Sequence, residues 1–321
     1  IAIIPVKNLK HVHSDKIVAM HTLSSNGGDS DSATRHHDLL LSASNDGSFA
    51  LWHLPTGDLI YTCHIGGGSN NNNNNNDDDN DNDNDMEHIS INCADVDEDV
   101  QENESIIYFG LSTGHVIGYV VSDLIQLASK GEQCQLPSCR FIAHDSTEGG
   151  VTAIKCAGKG TLALSTRRSG NIPTKISSIL LTGSMNGEVK QWELFARKDP
   201  SSPAEVKIEQ WPRLSTQRMQ RRAHIFTGHE GPITALQCGA GKDSSKILSA
   251  GADGTIRVWN SSKGKELFRM DGFTKEISSL HVDLEILVTD GMEEYVCVHD
   301  FDIDDILEEE TNDYDDYLDT L

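Results

Sequence analysis

His229, Ser249 and Asp253 stand within 25 residues of one another. A histidine, a hydroxyl and a carboxylate are the groups of an activated nucleophile: the imidazole takes the serine proton and the carboxylate orients the imidazole. That chemistry would make the chain a hydrolase. A catalytic set is needed once, however, at one pocket beside donors for the developing oxyanion. Here it is written three times. Ser249 stands four residues before Asp253, which stands six before Trp259, and the same ruler fits Ser42, Asp46 and Trp52, then Thr182, Asn186 and Trp192. His13 and His144 play the part of His229 in those two copies. Positions that accept Thr for Ser and Asn for Asp satisfy buried donors and acceptors; they do not activate a nucleophile. No catalytic residue is assigned, and an enzyme is not expected.

The elements that must hold these residues are hairpins. LSAGADGTIRVWN (248–260), LSASNDGSFALWH (41–53) and LTGSMNGEVKQWE (181–193) each run from an apolar stretch through Asp-Gly or Asn-Gly into renewed alternation. Gly accepts positive φ without a Cβ clash and Asn or Asp tolerates it, so the dipeptide turns one strand back on the other. Two fainter copies share the pattern: IIYFGLSTGHVIGYV, with Thr113 for the Asp and Tyr119 for the Trp, and LVTDGMEEYVCVHD, with Thr289, Glu293 and His299 for Ser, Asp and Trp. Short alternating runs precede the hairpins (KIVAMHT, ISINC, VTAIKC, ITALQC, ISSLHV), and their last residues, Thr22, Cys93, Cys156, Cys238 and Val282, align in one column. With a further segment ahead of each, four strands per unit are expected.

On Gly228-His229, Ser249, Asp253 and Trp259, with Asn260 for the closing Asp, the chain resembles the WD-repeat family of β-propellers, from Ile1 to about Ile303. The resemblance implies an all-β propeller of four-stranded blades with five repeats legible, part of a seven-bladed ring or, alternatively, five blades closed by the N-terminal strand. Blades are expected at about 11–68, 88–144, 150–228, 232–272 and 276–303, with 1–10 an outer strand. It also implies that His229, Ser249, Asp253 and Trp259 form a hydrogen-bonded chain tying turn and strands together, and so do their equivalents.

Composition bounds the rest. Net charge is −24, but residues 77–87 carry six Asp and Glu87, and residues 300–321 carry eleven acidic side chains and no basic one; setting those eighteen charges aside leaves −6. The propeller is only mildly acidic, so nucleic-acid binding is not expected. No apolar run approaches the ~20 residues of a membrane helix, and no secretory signal is visible at the start; membrane insertion is not expected, and a cytoplasmic or nuclear protein is. The seven cysteines form no pairing framework, and Cys134 and Cys139 lack the partners of a zinc site. Neither metal nor cofactor is expected. The Asn/Asp segment at 69–87 and the tail at 304–321 read as disordered, and the tail's charge suits a basic partner. The insert at 194–222 is basic, with seven Arg/Lys against three Asp/Glu between Arg197 and Arg222, and it could meet the acidic tail.

Function follows from the resemblance alone: a non-catalytic scaffold presenting faces and loops to other proteins or peptides. A substrate-reading adaptor for phosphorylated or acidic peptides, of the kind found in ubiquitin-ligase complexes, is the alternative, and a propeller hydrolase comes last. The residues just before the turn Asp positions are Asn45, Ser112, Met185, Ala252 and Met292. They lack the Arg or Lys an acidic ligand needs, so an apolar peptide suits this rim, with Glu230 and Lys275 beside it.

Overall fold

A computed structural model describes residues 12–24, 37–65, 89–99, 104–132, 137–145, 149–157, 175–198, 206–209, 224–240, 246–261, 263–283, 286–292 and 295–300. The expected strand at 1–10, the 69–87 segment, the 304–321 tail and Glu293 lie outside them. The rest is a series of antiparallel sheets. The first has β1 (Ile17–Ser24), β2 (His37–Ser44), β3 (Ser48–His53) and β4 (Asp58–His64), in that order. The second has β5 (Ile91–Asp99), β6 (Glu104–Leu111) and β7 (His115–Val120), then the helix α1 (Val121–Lys130), then β8 (Cys139–Ile142). The third has β9 (Val151–Ala157), β10 (Lys175–Ser184) and β11 (Val189–Lys198), with β12 (Val206–Glu209) and β13 (Ile225–Phe226) both paired to β11. The fourth has β14 (Ile233–Ala240), β15 (Lys246–Gly251), β16 (Ile256–Asn260) and β17 (Lys265–Met270). The fifth has three strands, β18 (Leu280–Val282), β19 (Ile286–Thr289) and β20 (Cys297–Asp300). The architecture is a β-propeller.

Sheets pack face to face in chain order, because their middle strands bury residues of both faces. Leu41, Phe49 and Leu51 of the first sheet meet Ile91, Ile107 and Phe109 of the second. Tyr108 and Phe141 meet Leu180 and Trp192, Leu181 and Phe226 meet Ile247 and Trp259, and Val258 meets Leu287. An outer-strand aromatic lies on the next sheet's tryptophan at two junctions, Phe141 on Trp192 at 5.0 Å between ring centres and Phe226 on Trp259 at 5.5 Å. The turn glycine has a second duty at these junctions. Gly187 has φ 84°, and a Cβ there would come within 2.5 Å of the His229 carbonyl oxygen; Gly47 (φ 82°) would meet Ile89 O at the same distance. Only a residue without a side chain both makes the turn and admits the next sheet's approach segment.

Among the described residues the inner strands β1, β5, β9, β14 and β18 have no sheet partner on their free edge, and unpaired edge groups are costly when buried. Side chains of one sheet satisfy the backbone of the next. Asn92 donates to Val151 O (2.9 Å), Thr152 to Ile233 O (2.6 Å), and Thr234 to Ile277 O. Three residues further along, His21 donates to Ala94 O (2.9 Å), Gln237 donates to Leu280 O (3.1 Å), and Asp95 accepts from Cys156 N (2.7 Å) while pairing with Lys155 at 3.2 Å.

One expectation is corrected. The residue of the second sheet that aligns with Thr22, Cys156, Cys238 and Val282 is Val96, opposite Ile107; Cys93 lies opposite Gly110. The alternating run continues through ADVDED, and buried Asp95 and Asp97 disguise it as the strand's end. The connection after β7 contains α1, whose Val121 and Leu124 pack on Tyr61 of the first sheet. Within the basic insert, 206–209 is a strand paired to β11.

Candidate functional site

The fourth sheet shows what the repeated residues do. Trp259 Nε1 donates to Ser249 Oγ (2.8 Å), Ser249 Oγ lies 2.8 Å from His229 Nε2, and His229 Nδ1 lies 3.0 Å from Asp253 Oδ2. A carboxylate only accepts, so Nδ1 carries the imidazole proton, Nε2 accepts from Ser249, and every donor points one way along the chain. Burial holds the His229 imidazole below its usual value, which keeps it neutral. Burial alone would raise the Asp253 carboxyl, but donation from Glu230 N, His229 and Thr255 outweighs it and lowers the value. Hydroxyl, imidazole and carboxylate do line up as in a hydrolase. Ser249 is fully buried, however, and one of its lone pairs is already taken by the indole. No substrate carbonyl reaches that oxygen.

The other copies build the same brace from different parts. In the first sheet Trp52 Nε1 donates to Ser42 Oγ (2.9 Å) and Ser42 to His13 Nε2 (2.8 Å). A second hydroxyl, Ser48, then stands between imidazole and acid, accepting from His13 Nδ1 at 2.6 Å and donating to Asp46 Oδ1 at 2.5 Å. Desolvation would raise Asp46, yet donors from Ser48 and Ser14 hold it well below the usual carboxylate range. In the third sheet Trp192 Nε1 and His144 Nε2 both lie 2.9 Å from Thr182 Oγ1, but Ser184 donates to Asn186 and the buried His144 Nδ1 has no hydrogen-bond partner among the described residues. Burial, with Lys190 nearby, pushes His144 down to about 3.

Where the pattern fades, other contacts fill the space. Phe109 stands ten residues before Tyr119, as Ser249 does before Trp259, and with Phe49 these rings form a cluster, Phe49 lying 4.8 Å from Phe109 and 5.2 Å from Tyr119. Thr113, at the turn, approaches His115 Nδ1 instead (3.1 Å). In the fifth sheet Thr289 donates to Ser279 O (2.8 Å), Asp290 accepts from Ser278 N and Ser279 N, and Phe273 meets His299 edge-on.

On the turn face the rim residues divide into two groups. Asn45 is engaged with Asp15, its Nδ2 donating at 3.0 Å, and Ser112 Oγ accepts from Ser90 N at 3.0 Å. Met185 is 46 % exposed and Met292 37 %, with Ala252 half-buried and Glu230 and Lys275 exposed. The fifth-sheet rim thus departs from the braced pattern, while Ala252 sits on a turn closed by Gly254 N to Gly251 O (3.1 Å). Among the described residues no three His, Cys, Asp or Glu side chains could hold a metal ion, and no helix is long and apolar enough to cross a membrane. Burial pushes the Cys139 thiol up to about 12 and Cys238 to about 11, so neither offers a thiolate near neutral pH.

The braced hairpins and consecutive antiparallel sheets are those of a β-propeller. The family model for the WD domain, G-beta repeat (WD40) matches residues 220–260, the span of the complete His229 brace. Two solved structures share the fold: U3-55K at 14 % identity and TM-score 0.52, covering 90 % of this chain and 62 % of that one, and Sqt1 of Saccharomyces cerevisiae at 13 % and 0.53, covering 90 % and 60 %. A CCR4-associated factor 4 homolog of Vanderwaltozyma polyspora is 30 % identical over 107 residues, 33 % of this chain and 15 % of that protein. The chain spans a small part of that relative's length.

Proposed function

We propose that this chain is an interaction scaffold that holds a protein or peptide partner on its turn-bearing face, at Met185, Ala252 and Met292 with Glu230 and Lys275 beside them. The observation that carries the reading is the exposure of Met185 and Met292 at turns whose supporting hydroxyls, Thr182 and Thr289, are buried. A thioether on a fixed turn offers adaptable apolar surface at little ordering cost. Asn45 and Ser112 spend their side chains on internal hydrogen bonds and complete the rim as its rigid part. The basic residues that would select a phosphorylated or acidic peptide are missing from the pre-turn positions, which favours an apolar ligand over the adaptor reading.

Affinity capture with the wild type beside Met185→Asp/Met292→Asp tests this. The double variant is expected to keep the wild-type melting temperature and to recover its partners at less than a tenth of the wild-type amount. Equal recovery would remove the turn face from the function and turn attention to the basic insert at 194–222.

A further inference from the structure

We propose that Asn186 is a site of spontaneous deamidation in the folded protein, where attack by the Gly187 nitrogen converts the side-chain amide to a carboxylate and completes the brace of the third sheet. Among the described residues Asn186 is the only asparagine followed by glycine, and glycine puts no side chain in the way of its own nitrogen. The Asn186 side chain is exposed, yet the turn holds it ready to react. Glu188 N donates to Asn186 Oδ1 at 3.2 Å, folding the amide back over the Gly187 peptide, and Ser184 Oγ donates to the same oxygen. Two donors on that oxygen stabilise the negative charge it takes up during attack. The Gly187 nitrogen is also loosely held: its turn bond to Ser184 O is 3.3 Å long, against 3.1 Å for Gly47, 3.0 Å for Gly114 and 3.1 Å for Gly254 in the sister turns.

The reaction balances with water alone. A solvent base takes the Gly187 amide proton, the nitrogen bonds to Asn186 Cγ, and Nδ2 leaves with a proton as ammonia, closing a cyclic imide. Water then adds at Cγ and breaks the bond from Cγ to the Gly187 nitrogen, which restores the peptide and leaves a carboxylate. Opening at the backbone carbonyl instead gives isoaspartate, which lengthens the main chain and spoils the turn.

The fold has a place for the product. At the same turn position Asp46 accepts from Ser14 N (2.6 Å) and Ser48 N (2.8 Å), and Asp253 from Glu230 N (3.0 Å) and Thr255 N (3.1 Å). In the third sheet Trp192 donates to Thr182 and Thr182 to His144 Nε2, so the imidazole proton sits on Nδ1, buried and without a hydrogen-bond partner among the described residues. A buried donor left unmet destabilises the fold. A carboxylate at position 186 keeps the donors of Ser184 and Glu188 and supplies an acceptor for this proton, either directly, as Asp253 serves His229, or through the Ser184 hydroxyl, as Asp46 serves His13 through Ser48.

The test ages the whole folded chain in mildly alkaline buffer and follows its tryptic peptide 176–190, in which Asn186 is the only amide side chain, by mass spectrometry beside the same peptide in free form. The folded chain is expected to convert at least as fast as the free peptide and to give mainly aspartate in normal linkage, where the free peptide gives mainly isoaspartate. Ser184→Ala, first shown by its melting to be folded, is expected to convert at least threefold more slowly. In an NMR titration the His144 ring of the aged chain is expected to hold its proton to higher pH than in the fresh chain, while Asn186→Gln shows no change on ageing. Four results would overturn the proposal: slower conversion in the folded chain than in the free peptide, which makes the turn a protection; isoaspartate as the main product of the folded chain; an unchanged rate in folded Ser184→Ala; or a His144 titration that conversion does not move.

Discussion

Truncating the tryptophans one at a time separates a brace from a merely apolar residue. Trp259 is 2 % exposed, in tilted ring contact with Phe226 and bonded to Ser249, so Trp259→Ala empties a fully enclosed site and leaves the Ser249 oxygen without its indole donor. Such truncations cost ~3–5 kcal/mol. Trp52 makes the same bond to Ser42 but is only half-buried, and no outer-strand aromatic covers it among the described residues. Roughly half the loss, about 2 kcal/mol, is expected there. At about 2–4 °C per kcal/mol for a chain of this size, thermal melting followed by circular dichroism should drop by roughly 10 °C for Trp259→Ala and roughly 5 °C for Trp52→Ala. Equal drops, or no drop at position 259, would refute the packing of each sheet's tryptophan face on the sheet before it.

Acid should weaken the fold through its buried imidazoles. His144, His229 and His13 all have folded values below the unfolded ~6.5, so the unfolded chain binds more protons and stability falls as pH drops below about 6.5, by up to ~1.4 kcal/mol per pH unit for His144 alone. Denaturant melts at pH 7, 6 and 5 check this, and His144→Gln should flatten the slope. Asp46 and Asp253 act in the same direction at lower pH, their stabilisation being lost as pH falls below the unfolded ~3.9. Asn186→Asp should supply the acceptor that His144 Nδ1 lacks, raising the His144 value in an NMR titration and adding about 1 kcal/mol of stability; an unchanged titration would show that the carboxylate does not reach the ring.

The hairpins were readable because the turn dipeptide and the spacing of four and six are local constraints, set by one backbone reversal and one indole-to-hydroxyl bond. Ser48 was not readable as a relay: nothing in SNDGS says that the hydroxyl after the glycine enters between His13 and Asp46. Nor were the latches between inner strands, since Asn92, Thr152 and Thr234 look like ordinary polar alternation until the next sheet's carbonyls are in place. α1 escaped because VSDLIQLASK has only one full apolar face, and its helical period competes with the strand character of the HVIGYV run before it. Asp95 and Asp97 misled for the opposite reason. Two acids in an inner strand read as its end, although Lys155 and the Cys156 amide give Asp95 the partners that allow its burial.

The turn-face account is tested most directly by hydrogen–deuterium exchange of the chain alone and saturated with a captured partner. Slowed exchange is predicted at 183–188, 250–255 and 289–292, where Met185, Ala252 and Met292 sit, with the braces beneath unchanged. Slowing confined to other segments, with these three turns exchanging as in the free chain, would contradict it.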